Sequence, residues 1–169
     1  IVRQRSLPHM LRCACRRLTR SAVDRSVSAL ACRRLTSSAV ETNIGYLRLC
    51  FNSGADDQLA LRARVFNTPT GNAFLASCPQ TLTSLMAYGD EVYGSLPDAL
   101  PTSKPQAVIP SGGLAYSEQG NFLCVFFGQA PAWPVHYFAQ IEVGWEYLPG
   151  GRWRTLAVTK EDPLAMESF

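Results

Sequence analysis

Beyond residue 43, no long stretch of this chain keeps the 3.6-residue apolar period of a surface helix; short β-type runs cut by Gly, Pro or Asn recur instead. Ile44, Tyr46, Leu47, Leu49 and Phe51 make an apolar-rich run that stops at Asn52-Ser53-Gly54, a strand followed by a turn. Leu59 to Phe66 alternates: Leu59, Leu61, Ala63 and Val65 fall on one face and Arg62 and Arg64 on the other, the signature of a half-buried strand. Further short runs follow at 81–88, 91–94, 107–109, 113–116, 123–127, 140–147 and 153–158. So many short strands with turns between them predict a mainly β barrel or sandwich.

Two segments depart from that texture. In Asn67-Thr68-Pro69-Thr70-Gly71-Asn72-Ala73-Phe74-Leu75, Thr68 is a ready N-cap and Pro69 suits the first helical position, where its missing N–H costs nothing. A brief helix is expected there, ending near Cys78-Pro79. The run Leu123-Cys124-Val125-Phe126-Phe127 is apolar on both faces, so it is expected as a central strand whose outer side is covered, with the helix as the candidate cover.

Charge divides the chain. Residues 1–40 hold nine Arg and one acid, Asp24, a net +8; the rest holds seven basic and twelve acidic residues, a net −5. Three parts are therefore expected: an Arg/Ser-rich, non-globular leader over 1–42, a folded β body over 43–162 and a short tail over 163–169. From Met10 the leader is nearly free of acids, the composition of a mitochondrial transit peptide. On a helical wheel of about 100° per residue, Leu11, Cys15, Leu18 and Ala22 face one way and Arg12, Arg16 and Arg20 the other. Within it Cys15–Val23 returns as Cys32–Val40 with one difference in nine positions, a local duplication too short for a solenoid. The expected location is the mitochondrial matrix, with the cytoplasm as the alternative.

Several classes of function are set aside. The acidic body has the wrong sign for nucleic acid, which only the leader suits. No apolar run reaches the roughly 20 residues of a membrane-spanning helix. The six cysteines form no CxxC pair and the two histidines, His9 and His136, stand apart, so neither a metal site nor a disulfide framework is expected. No cofactor is expected either. Cys124, in the most apolar run, is expected to be inert.

Three stretches together carry a resemblance. They are Val65 to Leu75, Ala87-Tyr88-Gly89-Asp90-Glu91-Val92-Tyr93-Gly94-Ser95-Leu96-Pro97, and Gly112 to Tyr116 continued by Glu118 to Gly128. From about residue 44 to about 160 the chain resembles the small, largely prokaryotic cyclophilin-like domain family, whose tendency to Trp is met here by Tyr88. The resemblance implies a closed β-barrel with one or two short helices, related to peptidyl-prolyl isomerases. It does not carry the activity over, because active relatives use an Arg in a Phe-His-Arg context and the body's only histidine lies in Pro134-Val135-His136-Tyr137.

The candidate site follows from these residues. Tyr88, Tyr93, Tyr116 and Phe127 are candidates to line a groove for a peptide or an apolar ligand, with Glu91 and Asn121 as polar rim; core packing is the competing reading of the aromatics. Asp90 and Glu91, adjacent on a strand, are expected on opposite faces, Glu91 facing solvent, and Gly120-Asn121 as a hairpin turn. The leading expectation is a non-catalytic binding domain for a peptide, small apolar ligand or protein partner. A diverged peptidyl-prolyl isomerase is the alternative, with Arg62 or Arg64 as the cation polarising the imide; it requires one of them at the mouth of a groove. A third reading is an accessory structural subunit of an organellar assembly, anchored by the leader.

Overall fold

The computed structural model describes residues 42–162; the leader, save its last residue, and the tail lie outside them. The apolar alternation of the first two runs becomes an antiparallel hairpin. β1 (Asn43–Phe51) pairs with β2 (Leu59–Phe66) so that Leu49 faces Leu61 and Arg48 faces Arg62. Leu47, Leu49, Phe51, Leu61, Ala63 and Val65 are buried on one side of it, as the pattern predicts. The turn between them is tied down by Asn52, whose amide donates to Asp57 Oδ2 (2.8 Å) and the Arg152 carbonyl (3.0 Å).

Helix α1 (Pro69–Ser77) starts where expected: Thr68 stays extended and its hydroxyl accepts from the Gly71 N–H at 2.9 Å. Its buried Phe74 packs against Phe138, ring centroids 5.0 Å apart. Thr70, fully buried, donates its hydroxyl proton to the Pro101 carbonyl at 2.7 Å and so fastens the long 96–112 connection to the helix.

The remaining strands are β3 (Gln80–Thr83), β4 (Met86–Ala87), β5 (Glu91–Ser95), β6 (Gly113–Ser117), β7 (Phe122–Phe126), β8 (His136–Val143) and β9 (Thr155–Glu161). With β1 and β2 they form one nine-stranded sheet in the order β3-β9-β1-β2-β8-β6-β7-β5-β4. Three strand expectations change. The run at 81–88 divides into β3 and β4, the run at 107–109 is no strand but follows a single bridge between Gln106 and Val135, and the end of the run at 140–147 is a 3-10 turn over Trp145–Tyr147.

The mainly β fold stands, but the barrel is not closed: the sheet curls into a half-barrel. Its end strands β3 and β4 are joined only through Ser84 and Leu85, and no ladder links β3 to β5. Leucine side chains fill that seam instead. A Cβ at Gly94 of β5 would fall 2.7 Å from a methyl of Leu85 and 2.9 Å from one of Leu82. α1 packs on the inner side of β1, β2 and β8, and Phe74, Phe138, Leu114, Leu123, Val125 and Leu156 share one core there. Residues 138 and 139 both join this core because β8 carries a bulge opposite Leu114/Ala115, which breaks the two-residue alternation.

Candidate binding site

The outer face of β5, β7 and β6 departs from that of β1 and β2. Outward positions on β1 and β2 include Arg48, Arg62 and Arg64, whereas on β7 they are Phe122, Cys124 and Phe126. Register lays Glu91 beside Phe126, Tyr93 beside Cys124 and Ser95 beside Phe122; on the other side lie Gly113, Ala115 and Ser117 of β6. Ile109 fills the space over Gly113, and a hollow is left toward Ser117 and the outer side of β5 and β7.

The 128–135 loop between β7 and β8 walls this hollow. A cavity of about 330 Å³ is bounded by the sheet residues Glu91, Tyr93, Ser117, Phe122, Cys124 and Phe126, by Tyr88 before β5, and by Pro131, Ala132, Trp133 and Val135 from the loop. The indole of Trp133 is fixed over it by donating to Ser117 Oγ at 2.9 Å. Val135 is held by two backbone bonds to Gln106 (2.8 and 3.0 Å), and Tyr93 packs edge-on against Phe122 with centroids 5.2 Å apart. The expected cover of β7 is thus corrected: the 128–135 loop and Ile109 lie over its outer side, in a cluster with Phe66, Cys124, Phe126 and Tyr137, while α1 packs on the inner one.

One carboxylate stands in this aromatic surround. Glu91 is half-buried and accepts from the Gln129 amide at 3.2 Å, while Gln129 Oε1 accepts from the Asp90 N–H, also at 3.2 Å. This double contact needs Gly89: its φ of +56° is left-handed, and a Cβ there would meet Gln129 Oε1. Asp90 is exposed, so the two acids do diverge, but Glu91 points into the pocket and not, as expected, to open solvent. Burial above all, then the Glu91 charge and the bond from thiol to carboxylate, raise the Cys124 thiol and keep it protonated. Burial likewise pushes the Cys78 thiol up to about 11, partly countered by the charge of Lys160. Among the described residues no Lys, Arg or His lines the cavity, and no three His, Cys, Asp or Glu side chains are grouped as a metal would need.

The profile of the cyclophilin-like family matches residues 47–151. The chain belongs to the cyclophilin-like family. Among solved structures, the cyclophilin-like fold is similar to the solution structure of a hypothetical protein from Archaeoglobus fulgidus, at 20% identity and a TM-score of 0.56, over 72% of this chain and 98% of that one. At that identity the likeness speaks for the fold alone. No curated protein matches.

Of the six ligand-binding candidates, this cyclophilin-like domain brings three together: Tyr88, Glu91 and Tyr93 line the pocket. Tyr116 points to the inner core, its hydroxyl donating to Asn121 Oδ1 at 3.0 Å, and Phe127 is buried in that same core. Asn121 is a turn residue with φ +53° whose amide donates to the Leu96 carbonyl at 2.8 Å. Alternation explains the split, since Tyr116 and Tyr93 sit on opposite faces of the sheet. Arg62 lies on the outer side of β2, its Nε 2.6 Å from Glu161, its Nη1 3.3 Å from Glu142, and its guanidinium 3.7 Å from the Tyr46 ring centre. Arg64 stands 5.5 Å over Phe66, and neither arginine lines the pocket. Ser117, Phe122 and Phe126 were not expected at a site, although the apolar outer positions of β7 were legible as a signal.

Proposed function

We propose that this chain is a non-catalytic binding module, whose outer-face pocket receives an apolar group carried by a peptide, a small ligand or a protein partner. The carrying observation is the aromatic-walled cavity of about 330 Å³, with Ser117 of β6 on its floor and a pinned Trp133 beside it. The engagement of Arg62 with two carboxylates supports binding over catalysis, because proline isomerisation needs a cation free to reach the imide.

Nuclear magnetic resonance on the full chain tests this reading. Small aromatic and apolar fragments are expected to shift the Trp133 indole resonance and leave that of Trp153 in place. Shifts spread evenly over both, or over neither, would remove the pocket from consideration. In a companion assay no acceleration of X-Pro exchange is expected, against an uncatalysed time of roughly tens to hundreds of seconds. Acceleration lost in Arg62→Ala or Arg64→Ala would make the protein an isomerase. We also propose that the leader is a mitochondrial address, which its Arg/Ser composition supports; diffuse cytoplasmic fluorescence from a fusion of residues 1–42 would reject it.

A further inference from the structure

An apolar pocket has no need of a carboxylate. Glu91 nonetheless stands on its wall beside Phe126, held in place by Gln129 and by the Cys124 thiol, both neutral. Among the described residues it has no ion-pair partner. A half-buried carboxylate with only neutral partners gains from a cation that comes to it. Around it, Tyr88, Tyr93, Phe122, Phe126 and Trp133 surround the cavity with aromatic rings, whose faces carry the negative end of the ring quadrupole. Charge and rings therefore favour the same kind of guest.

Which cation is decided by the acceptors. A primary ammonium brings three N–H donors that must all be satisfied, and a guanidinium brings five. The side-chain acceptors at the pocket are the Glu91 carboxylate, one oxygen of which already accepts from Gln129, the Tyr88 and Tyr93 hydroxyls, and Ser117 Oγ, which already accepts from Trp133; the rest of the lining is apolar. An ammonium whose hydrogens are replaced by methyl groups has no donors to satisfy and presents a soft, charged, apolar surface to the rings. The cavity, about 330 Å³, also leaves room for an apolar stem.

We infer that the pocket recognises an alkylated ammonium group on an apolar stem, with Glu91 as counter-charge and Tyr88, Tyr93 and Trp133 as the ring walls. This rests on the binding-module reading and narrows its ligand class. Two sources carry that chemistry, a trimethylated lysine in a peptide and a free quaternary ammonium compound, and the test separates them.

Titrations of the full chain, followed by the Trp133 indole resonance, would use choline, its neutral carbon isostere 3,3-dimethylbutanol, and one lysine peptide with and without trimethylation as probes, with toluene as an apolar control. Choline is expected to bind at least roughly tenfold more tightly than the isostere. Glu91→Gln, which keeps the shape and the Gln129 contact, is expected to erase that preference, with an unchanged melting temperature showing that the fold is intact. Tighter binding of the trimethylated peptide than of choline assigns the site to modified protein tails; the reverse assigns it to free ligands. Equal binding of choline and its isostere, or a preference that survives Glu91→Gln, overturns the inference and leaves the binding module standing. Binding of none of the probes, with toluene still bound, does the same; if toluene too fails to bind, both readings fall.

Discussion

The two faces of the curled sheet are built from the same strands and solve opposite problems. On the inner face β5, β6 and β7 turn Val92, Leu114, Tyr116, Leu123 and Val125 into the core that Phe74 of α1 shares, and Phe74 against Phe138 completes a packed interior. On the outer face the same strands turn Glu91, Tyr93, Phe122, Cys124 and Phe126 toward a loop that bridges them without filling the space beneath it. Both faces are rich in aromatics, so composition does not distinguish core from site. What differs is the cover. A helix capped by Thr68 and fastened through Thr70 brings large side chains down onto the sheet; the 128–135 loop brings Pro131, Ala132 and Trp133 across it and is pinned to Ser117 through the Trp133 indole.

The largest effect that would sharpen this contrast is expected from a truncation on each face. Phe74→Ala leaves a cavity in the packed face and is expected to cost about 3–5 kcal/mol in a denaturant titration. Trp133→Ala, on a partly exposed ring, is expected to cost far less while abolishing ligand shifts; equal losses would mean that the outer cluster is core as well.

Next comes the helix entry. A Cβ at Gly71 would fall 2.4 Å from the Phe66 carbonyl oxygen, a backbone atom that cannot swing aside. Gly71→Ala is expected to destabilise by about 1–3 kcal/mol, as overpacked sites do, with ligand binding to the folded fraction retained. An unchanged melting temperature would show that the helix seat is looser than its contacts imply.

The thiols give a pH-dependent test. Cys78 has its value pushed up to about 11 by burial, so the folded state holds the neutral thiol more firmly than the unfolded chain does. That contribution is whole below the ordinary thiol value of 9.0 and is lost as pH rises through about 11. Stability of the native protein relative to Cys78→Ala is therefore expected to fall over that interval. A constant difference would dismiss the effect. Alkylation with peptide mapping is expected to label half-exposed Cys50 ahead of Cys78 and Cys124.

The smallest effect is expected on the outer side of β2. Arg62→Ala breaks two partly exposed ion pairs and the stack on Tyr46, for about 1 kcal/mol or less, and leaves the pocket's affinity unchanged. A loss of ligand binding in this variant would join two surfaces that the fold keeps on different strands.

Much of this was present in the residues. Leu59 to Phe66 announced its own inner and outer faces through strict alternation, and Thr68-Pro69 announced the helix start through capping chemistry; both are local effects, read over a few neighbours. Family membership was legible in the Tyr88 to Pro97 and Gly112 to Gly128 segments, and Tyr88, Glu91 and Tyr93 were read as site candidates from them. Tyr116 and Phe127 were grouped with these because aromatic character alone does not say which face of a sheet a ring takes. Register does, and register depends on partners far along the chain. The open seam between β3 and β5 rests on Leu82 and Leu85 meeting Gly94, and the pocket rests on Trp133 finding Ser117, sixteen residues away in sequence. The chain by itself determined strands, turns and helix cap, because those follow from side-chain period and backbone chemistry. Only tertiary structure decided where the sheet stops curling and which aromatics face a hollow, because both depend on contacts between segments that no local pattern encodes.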